Sequence, residues 1–387
     1  MSRLSPRTLA VALGQDLSLF VAWSVIPVWA MVKAQATPAE LGFLPVVGGL
    51  AYVVTSWAAG RLSDRVSRTT LARIGLVGFA VFCLLAWRAK TLSWIYIVSP
   101  IGGFSNALIW PGLQALVGDE SAPEDLEKNL GTFSLSWSIG KTLGFFVGGY
   151  AWHHLGLHAL AACGILSFAL AFIVPGRPAR HRAVAAPLVA HDGPPAAVRA
   201  AYLKAAWLAN FAAYGLGATL NFLYEERVVS LGRPTSHYNN VLAALFLSQT
   251  FAFWYFGRFS GWRYRPGVFL AWQTAGAAAL AVIGWGAPLP VALAAAAAAG
   301  MSLGVAYSAS IYYSVHSDEK RGERAGIHEA VIGASNFAIP MAAGFLQHRT
   351  GFAPAGYLFA AGLVLAAIGA QGVILARASR RTQVTPR

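Results

Sequence analysis

An all-α membrane protein of two six-helix bundles, related by a pseudo-two-fold axis around a central pathway, is the fold class this sequence predicts. Three observations carry that expectation. Of 387 residues, 57% are hydrophobic and only 11% are charged, whereas a soluble domain carries roughly 25% charged residues. The chain is also divided into about twelve apolar runs, each long enough to cross a hydrocarbon core as a helix that closes its own backbone hydrogen bonds. Finally, the polar turn Gly60-Arg61-Leu62-Ser63-Asp64-Arg65-Val66-Ser67-Arg68 returns in degraded form as Gly257-Arg258-Phe259-Ser260-Gly261-Trp262-Arg263-Tyr264-Arg265. The copy lies about half a chain later, again between two apolar runs, as in a duplicated membrane bundle.

The spans are expected near 8–32, 39–59, 69–88, 91–117, 130–152, 155–175, 201–224, 236–257, 266–287, 290–315, 325–347 and 353–376. They group into an N-terminal bundle, 1–176, and a C-terminal bundle, 200–387. The stretch 177–199, rich in Pro, Ala, Arg and His, buries no core and reads as a cytoplasmic linker. The net charge of +14 is explained by its distribution. With the N-terminus inside, all but seven of the 29 Lys and Arg fall on the inner side. Lys33, Arg88, Lys90, Arg227, Arg233 and Arg349 fall in outer loops, and Lys141 within a span. That asymmetry is the positive-inside pattern. It predicts a multi-pass protein of the cell (inner) membrane with both termini cytoplasmic, and it requires no nucleic acid. Cys83 and Cys163 fall inside spans and read as small packing residues. Ala34-Gln35-Ala36 imitates a signal-cleavage site, but the run before it is too long and carries Asp16, so it is read as a retained first span.

In chain order, the first span holds Gln15 and Asp16 about a third of the way in. At 1.5 Å per residue, Asp16 lies roughly 12 Å from the inner start. An acid there needs water or a partner; the other reading is a frayed cytoplasmic end. After the second span, Gly60 permits a tight exit, Asp64 pairs with arginines or faces a helix N-terminus, and Arg65 and Arg68 hold the turn in the cytosol. The fourth span brings Asn106 and Trp110 toward a pathway. The acidic connector that follows (Asp119, Glu120, Glu124, Asp125, Glu127) reads as solvated.

The fifth span carries Gly131, Gly140, Gly144, Gly148 and Gly149, small residues spaced for close helix approach. Lys141 sits within that ladder, too deep to snorkel easily, and must meet a cavity or a carboxylate. Its depth matches that of Asp16, so an Asp16–Lys141 ion pair is expected; an anionic substrate group is the alternative partner. Trp137 lies one turn before. In the second half Asn210, Tyr214, Asn221, Gln249, Tyr307 and Asn336 place polar atoms in spans, where they either line a wet path or bond neighbouring helices. His328-Glu329 opens the eleventh span. Position 332 is Ile, so no His-Glu-x-x-His zinc motif exists, but both groups can carry a proton. The alternative is a solvated helix end. His153, His154 and His158 lack a carboxylate or cysteine beside them, and no metal site is expected.

The turn at 60–68 resembles the cytoplasmic-loop signature of the major facilitator superfamily, Gly-x-Leu-Ala/Ser-Asp-Arg-x-Gly-Arg. Ser67 stands where that family usually has its second Gly, and the copy has lost the Asp. The glycine ladder resembles the family's antiporter motif, Gly-x8-Gly-x3-Gly-Pro-x2-Gly-Gly, with Phe145 in place of Pro. The second-half echo, Gly326, Ser335, Ile339, Pro340, Ala343 and Gly344, keeps the Pro. The family's early Arg in the fourth helix is missing between Thr91 and Val117. The resemblance implies a secondary active transporter with alternating access, the loop latching the halves on the cytoplasmic side. No Walker sequence is present, so an ion gradient, most simply protons carried by Asp16 and Glu329, is the expected energy source. The expected cargo is a small organic solute, with efflux of amphiphilic compounds placed first. No cofactor is implied, and a monomer in the bilayer suffices. A transporter-fold sensor or a membrane-embedded enzyme using His328 and Glu329 is the alternative, and flux assays in liposomes separate the classes.

Overall fold

The computed structural model describes residues 4–62, 67–121, 126–176, 194–259, 261–315 and 321–384. They form α1 (Pro6–Val32), α2 (Pro38–Leu62), α3 (Arg68–Trp87), α4 (Leu92–Glu120), α5 (Leu126–Leu155) and α6 (His158–Ile173). The second half supplies α7 (Ala196–Ser230), α8 (Ser236–Arg258), α9 (Pro266–Gly284), α10 (Leu289–Val315), α11 (Arg321–Thr350) and α12 (Ala355–Val384). Eight of these are long and apolar enough to cross a membrane, among the described residues. The chain is a multi-pass membrane protein. α7 starts at Ala196, inside the expected linker; residues 177–193 of that linker, with Asp64 and Arg65 of the signature turn, lie outside the described residues.

Local chemistry starts the helices. Ser5 accepts from the Arg7 amide at 3.2 Å ahead of Pro6, and Ser67 accepts from Thr70 N at 3.2 Å to cap α3. Side-chain caps satisfy amides that have no partner inside the helix. Glu120, expected in a solvated connector, instead accepts from Ser5 N at 3.0 Å and from Thr8 Oγ1 at 2.9 Å. It places a carboxylate at the positive end of α1 and ties α4 to it. Gly156 and Gly351 end α5 and α11 at φ +54° and +62°, a left-handed turn that a Cβ would oppose.

The two halves repeat one packing plan. α1 packs on α5 and α6, α2 on α4, and α3 on α4 and α6; α7 packs on α11 and α12, α8 on α10, and α9 on α10 and α12. Between halves, α5 meets α8 and α11 meets α2, the same relation with the halves exchanged. Small residues make these crossings. A Cβ on Gly140 would strike the Leu13 carbonyl, and one on Gly144 would come within 2.8 Å of Phe20 Cβ. Between α2 and α11, Gly42 lies against the Pro340 carbonyl, and Gly344 against Gly42 and the Pro38 carbonyl. Gly131, counted in the same ladder by spacing, has nothing within 4 Å; it lies in the first turns of α5, before the crossing begins.

One end of the bundle carries the α1–α2, α7–α8 and α11–α12 turns and is poor in cationic residues. There the halves are shut. Ser24 of α1 hydrogen-bonds to Asn239 of α8, Gly149 packs under the Asn239 side chain, and Trp23 meets Phe222 with ring centroids 5.8 Å apart.

Candidate functional site

A cavity of about 250 Å³ lies where the halves meet. α1 contributes Asp16, Phe20 and Trp23, α4 Asn106 and Trp110, and α5 Trp137, Lys141 and Phe145. From the other half come Tyr214, Asn221, Phe246, Tyr307, Glu329 and Asn336. The lining is mostly aromatic and apolar, with two carboxyls and one amine set into it: Asp16, Glu329 and Lys141.

The glycine ladder explains how Lys141 reaches this place. By drawing α5 against α1, it sends the side chain at 141 past α1 toward α8. The ammonium donates to Gln249 Oε1 at 3.3 Å. It also lies 4.0 Å from the Phe246 ring centre, 4.8 Å from Phe20 and 5.8 Å from Tyr214. A cation over ring faces is stabilised by their quadrupoles, more so away from water. Gln249 in turn donates to Tyr214 OH at 3.1 Å. The expected direct Asp16–Lys141 ion pair is not formed. The two charges share the cavity and act on each other electrostatically, but aromatic rings and an amide of the other half hold the ammonium instead.

His328 and Glu329 part company. Successive residues on a helix point about 100° apart, so Glu329 enters the cavity while His328 turns into the second bundle. Glu329 Oε2 lies 3.5 Å from Tyr52 OH. His328 is fully buried; its Nδ1 is 2.7 Å from Ser310 Oγ and 3.4 Å from Asn210 Nδ2, and its ring meets Tyr307 edge-on at 4.9 Å. The two therefore do not form one reacting pair, and neither is a solvated helix end.

Seven of the nine residues expected along the pathway line the cavity: Asn106, Trp110, Trp137, Tyr214, Asn221, Tyr307 and Asn336. Asn210 and Gln249 stand behind it, one bonded to His328 and the other bridging Lys141 to Tyr214. Phe20, Tyr52, Phe145 and Phe246 escaped the sequence reading. Phe145, which occupies the proline position of the ladder, stacks on Phe246 at 4.8 Å and 12° and packs on Phe20 at 5.2 Å. The missing proline was the available signal, since it left a full side chain at this position of the ladder. Of the signature turn, Gly60 lies in the last turns of α2, and Arg68 opens α3.

The model of the Major Facilitator Superfamily matches residues 8–316. Among curated proteins, the chain is 28% identical over 153 residues to the quinolone resistance protein NorA of Staphylococcus aureus, covering 39% of each chain. It is 30% identical over 139 residues to multidrug resistance protein 1 of Bacillus subtilis, covering 34% of this chain and 36% of that one. These alignments span about two fifths of the relatives' length or less. Among solved structures, the nucleoside transporter NupG superposes with a TM-score of 0.73 at 15% identity, covering 95% of this chain and 98% of that one. A bacterial homologue of the human lysosomal transporter Spinster gives 0.66 at 17% identity, covering 96% and 94%. These likenesses show the fold.

Proposed function

Because the chain belongs to the major facilitator superfamily, we propose that it is a secondary active transporter that exports amphiphilic organic compounds, cations foremost, at the expense of a proton gradient. The observation that carries this reading is the cavity between the halves. Its walls are aromatic and apolar, and they hold two acids against one base that is already engaged. Aromatic faces with acids set among them suit a flat organic cation. Asp16 has no hydrogen bond or ion pair among the described residues and fits the role of exchanging a proton for such a cargo. Sequence similarity to two drug-resistance proteins supports the substrate class, over the stretch that aligns.

The decisive test uses purified protein in liposomes with an imposed pH gradient and a panel of planar fluorescent organic cations, neutral sugars and organic anions. Accumulation of cations that collapses with a protonophore is expected. Absence of flux for every class under proton and sodium gradients would favour the sensor alternative.

A further inference from the structure

One carboxyl of the second bundle has no part in the cavity and, among the described residues, no hydrogen-bond partner. Glu225, near the end of α7, is fully buried, and neither of its oxygens is hydrogen-bonded. The cations beside it are committed elsewhere. Arg227 donates from Nε to Gly284 O at 3.0 Å and from Nη2 to Trp285 O at 3.1 Å. Arg233 donates to Ala287 O at 2.6 Å and to Gly286 O at 2.7 Å. The adjacent Glu226 accepts from Gln347 Nε2 at 2.7 Å, so of two consecutive acids only one is satisfied.

The surroundings of Glu225 are polar, but no described group donates to it. Tyr224 on α7 and Tyr238 on α8 interact with it electrostatically; the titratable groups linked to those two are Arg227 on α7, Arg233 in the following turn, His237 on α8 and Tyr357 on α12, with Glu226 next to Tyr357. Tyr224 OH, Tyr357 OH, His237 Nε2 and Gln347 Oε1 are likewise buried without partners. Tyr238 spends its hydroxyl proton on Asn221 O at 2.6 Å. An ionised carboxylate without donor or counter-charge is one of the costliest groups to bury. The neutral acid is far cheaper.

Its place on α7 ties it to the closure of the bundle. Asn221, one turn earlier on the same face, lines the cavity and leaves Nδ2 unspent. Phe222, three residues before Glu225, makes the contact with Trp23 of the other half. Glu225 thus continues the cavity stripe of α7 into the shut end.

We propose that Glu225 is a proton-binding site one helical turn beyond the cavity, occupied while the cation-poor end is shut and emptied or refilled when that end opens. Its use rests on the proton-driven reading above, but its detection does not. The hydrophobic reagent dicyclohexylcarbodiimide adds to protonated, buried carboxyls. On the full-length protein in liposomes, peptide mass spectrometry is expected to find the adduct on Glu225, lost progressively as the medium is made alkaline and absent in Glu225→Gln. No adduct on Glu225 at any pH, or protection of Glu225 by sodium at constant pH, overturns the proposal; the latter outcome would make it a metal-cation site. In flux, Glu225→Gln is expected to lose gradient-driven accumulation while retaining substrate counterflow, and unchanged accumulation overturns it. Should that variant fail to fold, the wild-type labelling profile decides. A pH-dependent Glu225 adduct in a protein that moves no substrate sustains the site and removes the transport reading instead.

Discussion

Lys141 is the residue in which the two halves are most directly joined, since its stem belongs to α5 and most of its ring and amide contacts belong to α7 and α8. Removing the ring beneath it, Phe246→Leu, keeps an apolar side chain but loses the quadrupole and some packing volume, and a stability loss of about 1–2 kcal/mol is expected. Thermal melts in detergent measure it; an unchanged melt would mean that Gln249 and the rings of Phe20 and Tyr214 hold the cation without Phe246. Asp16 belongs to the same field without touching the ammonium. A double-mutant cycle of Asp16→Asn with Lys141→Gln is therefore expected to give a coupling of about 1 kcal/mol. Breaking a contacting buried pair costs roughly 3–5 kcal/mol, and a coupling of that size would put the two charges in contact.

At the scale of elements, the glycine ladder of α5 divides into a working part and an idle part. Gly144 presses on Phe20 of α1, whereas Gly131 meets nothing. Gly144→Leu is expected to cost about 1–3 kcal/mol by overpacking and to impair flux by moving Lys141. Gly131→Leu is expected to stay within about 0.5 kcal/mol of the parent, as a substitution without neighbours does. Equal effects of the two would show that α5 packs differently from the crossing described. Helix register explains the division of His328 from Glu329 as well: a single residue step sends one group to the core and the next to the cavity.

For the whole molecule, the end shut by Ser24–Asn239 and by the Gly42–Gly344 crossing must part if the cavity is to open there. A disulfide between Ser24→Cys and Asn239→Cys, in a background without Cys83 and Cys163, is expected to abolish flux until a reductant is added. Full flux through the oxidised protein would show that opening bypasses this contact. The bridged protein is also expected to lose the alkaline discharge of Glu225, because the shut end then cannot expose that carboxyl; carbodiimide labelling at high pH checks it.

The sequence by itself determined the class, the twelve helices and their near ends, because apolar length and turn chemistry are local properties. It also determined the two-fold repetition, through the paired turns and the twin glycine patterns, and it marked Asp16, Lys141 and Glu329 as charges out of place. Only the tertiary structure decided which partner each charge takes. Lys141 was matched to Asp16 by depth alone, and depth carries no azimuth; the ammonium turns to rings and an amide of the other half. Phe20 and Phe246 could not be told from the rest of the 22 phenylalanines, since in a membrane chain aromatic residues face lipid, core and cavity alike. In sequence, Glu225 is one acid beside Glu226 and Arg227, with nothing to set it apart. Its burial without a partner became visible only when the α9–α10 turn drew both arginines away, a contact made across more than fifty residues of chain.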